Sequence, residues 1–249
     1  MKRNKDWHER DTFWKNVEPI LFHQQRLNNA ADEVEKVLSL VGIKPGGQVL
    51  DLCCGVGRHS LELARRGFEV TGIDITERYL KKAKALAKKE KLKIKFITAD
   101  MKIFLRKNRF DAVFNLFTSF GFFADQKDDY KVASNAYKSL KGGGVLIMDM
   151  IGKEALARYF RPRDWIEYGD TILLEERQVC DNWSRVHNKW TIIKDGRRKT
   201  EELDLRLYGG SELKTLLTDC GFKHVDVYGN LNGDPYDDTA QRLVVAARK

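Results

Sequence analysis

The sequence predicts an α/β fold. It is read as a doubly wound, seven-stranded, mostly parallel sheet carrying an N-terminal helical cap and a small antiparallel β insertion. Three observations predict this. Between residues 45 and 150, short apolar runs alternate with segments of helical period, as in successive β-α units. The first unit joins strand to helix through the turn Cys54-Gly55-Val56-Gly57 and ends its second strand on an acid, Asp74. From about residue 164 to 208 the helical period gives way to strands of alternating character.

The elements follow in order. Residues 1–41 precede the core and hold Trp7, Phe13, Trp14, Ile20, Leu21, Phe22 and Leu27. A helix is expected over Glu33–Val41, with Val34, Val37, Leu38 and Val41 on one face and Gly42 stopping it. Two uses of this segment stay open: a static cap with its aromatics as core, or a lid over a ligand. The first core strand is Val49–Leu52, behind the turn Lys44-Pro45-Gly46-Gly47. A helix from near Arg58, ended by Gly67, leads to the strand Glu69–Ile73. A helix over about Glu77–Lys89 and the strand Ile94–Ile97 come next, then the strand Phe110–Asn115. The helix Asp128–Leu140 is followed by Gly142-Gly143-Gly144, which predicts a sharp reversal into the strand Val145–Met150. In the insertion, Ile172–Cys180, Arg185–Lys194 and Thr200–Tyr208 read as strands, the last two joined by the hairpin pair Asp195-Gly196. So small a sheet needs a partner surface, which makes it a lid or floor over a pocket, or a dimer interface. Ser211 is placed as the N-cap of a helix ending at Gly221, and His224–Tyr228 and Leu243–Ala247 as an antiparallel hairpin at the sheet edge. The whole reads as one domain: cap 1–41, core 42–160, insertion 161–208 and end of core 209–249.

No apolar run reaches the roughly 18 residues that span a bilayer, and the charged N-terminus lacks a signal-peptide core. The four cysteines (Cys53, Cys54, Cys180, Cys220) have no metal-ligand spacing, so no metal site is expected and a reduced, cytoplasmic setting is. Net charge is +9, but the lysine run from Lys81 to Lys95 falls mostly on the outer face of a helix, so nucleic acid is not favoured as a partner.

The glycine turn discriminates among ligands. A dinucleotide fingerprint needs a third glycine three residues after Gly57, where this chain has Ser60. Asp51, just ahead of the turn, would repel a pyrophosphate and welcome a cationic amino group. The pattern D-x-x-x-G-x-G, followed by Asp74 placed for ribose hydroxyls, therefore favours a nucleoside with an amino-acid tail over NAD. Here the stretch Val49–Thr76 resembles motif I of the class I S-adenosylmethionine-dependent methyltransferases, with their Rossmann-like fold. It departs at Cys53, where that family usually has glycine.

The resemblance implies S-adenosyl-L-methionine as cofactor, held by Asp51, Cys53, Gly55, Gly57, Asp74, Ile75, Asp100, Met101 and Asn115. Asp100 would accept from the adenine amine and Met101 lie against the ring. Beyond Asn115, four phenylalanines interleave with Thr118, Ser119 and Gly121, and the N-P-P-Y signature of many nucleic-acid amino-methylating enzymes is missing. An apolar wall with two hydroxyls suits a small organic acceptor, with Thr118, Ser119 and Phe120 as contacts. Arg206 and Tyr208 stand where related enzymes often have R-x-Y, either pointing into the cleft or forming a strand-edge ion pair. His59 is a candidate general base or a pocket wall. The reading is methyl transfer to N or O of a small molecule. The alternatives are an RNA or protein methyltransferase and a non-catalytic binding module, and a homodimer through the β insertion is also open.

Overall fold

The computed structural model describes residues 6–249. Strands β1 (Gln48–Leu52), β2 (Glu69–Asp74), β3 (Ile94–Thr98), β4 (Phe110–Asn115) and β5 (Leu140–Met150) are parallel. The insertion contributes β6 (Arg163–Tyr168), β7 (Thr171–Cys180), β8 (Arg185–Lys194) and β9 (Arg197–Arg206), and β10 (His224–Tyr228) and β11 (Leu243–Arg248) complete the main sheet. Its order is β10-β11-β5-β4-β1-β2-β3. The chain winds outward from β1 to β3, returns to β4 and winds the other way. Ligands of such sheets bind beyond the strand ends where the order reverses, here between β1 and β4.

Eight α-helices flank these strands among the described residues: α1 (Asp11–Leu21), α2 (Gln24–Asn28), α3 (Ala30–Val41), α4 (Arg58–Arg65), α5 (Glu77–Lys89), α6 (Gln126–Ser139), α7 (Lys153–Tyr159) and α8 (Gly210–Asp219). Val34, Val37 and Val41 of α3 and Leu63 of α4 cover one sheet face, and Val132, Ala133 and Ala136 of α6 and Leu213 and Leu217 of α8 cover the other. Strands buried on both faces read as continuous apolar runs, which explains the clear signals of β4, β5 and β11.

Several expectations need correction. β11 lies between β5 and β10 and is antiparallel to both, so only β10 forms the edge. The three glycines 142–144 do not reverse the chain. They lie within β5, where the pairing with β4 slips between Phe110↔Leu140 and Ala112↔Val145, a bulge that absorbs the extra residues. Helix α8 starts at Gly210 behind Gly209, whose N–H donates to Glu212 Oε2 at 2.8 Å, so Ser211 is not the cap. The insertion has four strands, because Arg163–Tyr168 pairs with β7 through a Gly169-Asp170 turn. Its charged, alternating sequence is that of an edge strand. The Asp195-Gly196 turn does form, with both residues in the left-handed region as a type I′ hairpin requires.

The insertion finds its partner surface in the cap. Phe13, Val17 and Ile20 of α1 pack on Leu173, Ile192 and Leu203 of the insertion sheet. Trp7 Nε1 donates to Asp204 O at 3.1 Å, and Asn16 Nδ2 donates to Glu201 Oε1 at 2.6 Å. Tyr79 of α5 donates its hydroxyl to Trp14 O at 2.5 Å, tying this unit to the core. Cap and insertion thus make one roof over the carboxyl ends of β1, β2 and β4.

Candidate active site

After β1 the backbone enters the left-handed region at Cys53, Gly55 and Gly57. A Cβ on Gly57 would stand 2.9 Å from Ala83 Cβ, so this glycine lets the turn press on α5. Gly55 N donates to Asp74 Oδ2 at 2.9 Å and Thr76 N to Asp74 Oδ1 at 2.7 Å, so the acid ties the turn to the end of β2. Asp51 accepts from Ser60 Oγ at 2.5 Å. Burial pushes the carboxyls of Asp51 and Asp74 above their ordinary range, against hydrogen bonds that pull them down. Asp100 Oδ1 accepts from Lys102 N at 2.7 Å, and Met101 Sδ lies 3.3 Å from Cys53 Sγ. Burial and the neighbouring aspartates hold the Cys53 thiol far above its usual value, so it stays protonated and is no nucleophile.

Above this cradle is a cavity of about 360 Å³. Asp51, Cys53, Gly55, His59, Asp74, Ile75, Asp100, Met101, Thr118 and Ser119 all line it. Gly57, Asn115, Phe120, Arg206 and Tyr208 are not among its lining residues. Gly57, the last residue of the turn, faces Ala83 and Phe96 instead. Asn115 is 1% exposed and donates to Ser119 O at 3.2 Å, so it shapes the following loop from below rather than facing the cleft. Phe120 packs on the Tyr208 ring, centroids 5.5 Å apart, and lines a second cavity. Tyr208 donates its hydroxyl to Asp129 Oδ2 on α6 at 2.9 Å, and Arg206 Nε lies 3.3 Å from the same oxygen. The pair forms a buried ion-pair site, with Arg206 also on the wall of the second cavity. His59 Nε2 lies 2.7 Å from Glu33 Oε2, which also binds Arg58, so that nitrogen is committed to a wall contact.

Burial pushes the Asp129 carboxyl up to about 6, despite Tyr208 and Arg206. A carboxyl that binds its proton more tightly when folded stabilises the fold at low pH, and that contribution is lost as pH rises to about 6. Asp129→Asn, which mimics the protonated acid, is therefore expected to gain stability over the parent at pH 8, on the order of 2 kcal/mol. No such gain is expected at pH 4. Urea melts of both proteins at the two pH values check this, and equal differences at both would refute it.

Sequence reasoning named Thr118 and Ser119 on the far wall but missed what holds them. Phe117 and Thr118, neither of them glycine, have φ of 64° and 57°. Phe117 N donates to Asp149 Oδ2 at 3.1 Å and Thr118 N to Asp149 O at 2.8 Å, which fixes these costly conformations. Arg242 grips Asp149 through two bonds of 2.8 and 3.0 Å and reaches Thr118 Oγ1 at 3.2 Å. Arg26, Arg58 and Arg242 lie 4.1, 5.2 and 5.9 Å from the Phe117 ring centroid. Tyr168, Leu173, Glu175, Trp190, Leu203 and Leu205 bring the insertion into the cavity. The acid at the end of β5 was a legible signal, whereas Arg242 stands in a loop with none.

The cradle offers acceptors: three carboxylates on one cavity floor. Their chemistry fits a ligand that presents an ammonium, ribose hydroxyls and an exocyclic amine, and does not fit one that presents a pyrophosphate. Residues 49–144 match the family described as "Methyltransferase domain". That match spans 96 of the 249 residues, and within it the chain carries a methyltransferase domain. The chain is 27% identical over 209 residues to the putative methyltransferase YqeM of Bacillus subtilis, covering 82% of this chain and 84% of that one. It is 26% identical over 206 residues to a glycine/sarcosine N-methyltransferase of Aphanothece halophytica, with 81% and 76% covered. A S-adenosylmethionine-dependent methyltransferase from Clostridium acetobutylicum shares its fold at a TM-score of 0.79 and 18% identity, over 96% of this chain and 98% of that one. None of the chain's described helices is long and apolar enough to cross a membrane.

Proposed function

We propose that the chain is a class I S-adenosylmethionine-dependent methyltransferase that moves the methyl group of S-adenosylmethionine to N or O of a small organic acceptor. The observation that carries this is the single cavity running from the acidic cradle to the roof of cap and insertion. Asp51 receives the cofactor's ammonium, Asp74 the ribose hydroxyls and Asp100 the adenine amine. Ile75 and Met101 flank the ring, and Cys53 and Gly55 border the methionine. Thr118 and Ser119 face the acceptor. A sulfonium is already a good leaving group, so the protein must chiefly align nucleophile and methyl at about 3 Å and keep water out. The roof supplies that exclusion, and the name of the Aphanothece relative, with its small acceptors, supports the same class. An RNA acceptor draws only on net charge, and much of that lies on the outer face of α5, where Lys82 pairs with Glu18. A reduced, cytoplasmic setting fits the four free thiols. A homodimer through the insertion would use its outward face, where Trp165 and Leu174 are exposed.

Calorimetry with S-adenosylmethionine, S-adenosylhomocysteine and NAD tests the cofactor half of this reading. The first two are expected to bind and NAD to be silent. Acceptor screening for S-adenosylhomocysteine release tests the other half, and turnover of RNA but of no small molecule would overturn it.

A further inference from the structure

We infer that Glu175 of the β insertion holds the acceptor, and that the acceptor is an amine. This rests on the methyl-transfer reading and narrows it to nitrogen. Thr171, Leu173 and Glu175 alternate onto the inner face of β7, all of them buried. A carboxylate in that apolar stripe, 6% exposed, is costly to keep unless something compensates it. One compensation is its ion pair with Arg177, two residues along the same strand. Among the described residues that line the main cavity, four are acids: Asp51, Asp74, Asp100 and Glu175. Three belong to the cofactor cradle, which leaves Glu175 for the acceptor.

Its position is specific. A second cavity of about 180 Å³ adjoins the first, and Thr118, Ile151, Glu175, Trp190 and Leu205 line both. An acceptor whose nucleophile reaches the cradle and whose remainder fills the second cavity must pass these five side chains. Trp190 is the register partner of Glu175 across β7 and β8. A carboxylate and an indole on the same wall of both cavities attract an organic ammonium, by charge and by the ring's quadrupole. A hydroxyl acceptor would gain far less from either.

An ammonium cannot attack until it loses a proton. Glu175 takes that proton from nitrogen. The freed lone pair forms the N–C bond to the methyl carbon, and the C–S bond breaks with its electrons passing to sulfur. The products are the methylammonium, S-adenosylhomocysteine and a protonated Glu175, which releases its proton to solvent. Burial raises the proton affinity of this carboxyl against the pull of Arg177, in the direction a base needs.

The test pairs Glu175→Gln with Glu175→Asp, the second retaining the charge that Arg177 requires. Glycine, ethanolamine and glucosamine are compared with glycolate, ethylene glycol and glucose, each with S-adenosylmethionine. At least one amine is expected to release S-adenosylhomocysteine while its hydroxyl counterpart does not. Glu175→Gln should lose roughly 10²–10⁴-fold in turnover and Glu175→Asp less, with cofactor affinity by calorimetry within about twofold of the parent. Turnover unaffected in Glu175→Gln, or turnover of hydroxyl acceptors alone, overturns the assignment. If no compound reacts, the melting temperature of the S-adenosylhomocysteine complex with each amine decides. A rise that disappears in Glu175→Gln supports the assignment, and its absence in the parent counts against it. A parent that fails to bind S-adenosylmethionine would instead sink the methyl-transfer reading itself.

Discussion

Asp74→Ala is expected to weaken S-adenosylmethionine binding by about 2–4 kcal/mol, the worth of two charge-assisted hydrogen bonds to the ribose. That is roughly a 30- to 1000-fold rise in Kd. Each carboxylate oxygen already accepts one backbone bond, from Gly55 N on one side and Thr76 N on the other. A carboxylate oxygen has capacity for a second, so each can still take a ribose hydroxyl. Alanine removes both functions together, because the Gly55 turn is also freed from the end of β2. Asp74→Asn separates them: its amide oxygen can keep the bond from Thr76 N, while its NH₂ would face the Gly55 N–H as a second donor. It should bind more weakly than the parent and more tightly than the alanine variant. Calorimetry on variants of unchanged circular dichroism makes the measurement. Unaltered affinity in a folded Asp74→Ala would move the ribose elsewhere in the cavity.

The cradle was legible because it is local. A βαβ unit puts its turn, its helix start and the acid of the next strand within Val49–Thr76, so backbone geometry alone brings them together. Asp100, at the end of a third parallel strand, obeys the same rule. The proposed acceptor side is different in kind. Thr118 is held by Asp149 from the end of β5 and Arg242 from the loop before β11, and Glu175 comes from a sheet 57 positions beyond Thr118. No periodicity links such residues. Arg206 and Tyr208 show the converse hazard. Their spacing matched a cleft motif, yet the strand ends at Arg206 and both side chains turn to Asp129 on α6. Asn115 misled for a similar reason: its place at the end of β4 was right, but its amide turned inward to the loop that follows.

The roof offers the sharpest test of how fold and chemistry are linked. Phe13 is 1% exposed and packs edge-on against Trp7 and Trp14, with centroids 4.9 and 5.0 Å away. It also belongs to the apolar contact between α1 and the insertion sheet. Phe13→Ala should cost about 3–5 kcal/mol, as for other buried phenylalanines. That loss should not spread evenly. The main sheet has helices on both faces and does not depend on Phe13, whereas a four-stranded sheet of this size depends on its covering helix. Amide hydrogen exchange is therefore expected to accelerate in α1 and in β7 to β9 while β1, β4 and β5 stay protected. Cofactor affinity should fall modestly, since the cradle acids come from the core. Turnover should fall more, because an open roof admits water to a reactive sulfonium and loosens the strand that carries Glu175. Uniform acceleration of exchange across both sheets would mean that roof and core unfold as one unit. In that case the cap could not open as a lid without global unfolding, and the acceptor would have to enter another way, through the second cavity beside Arg161 and Tyr159.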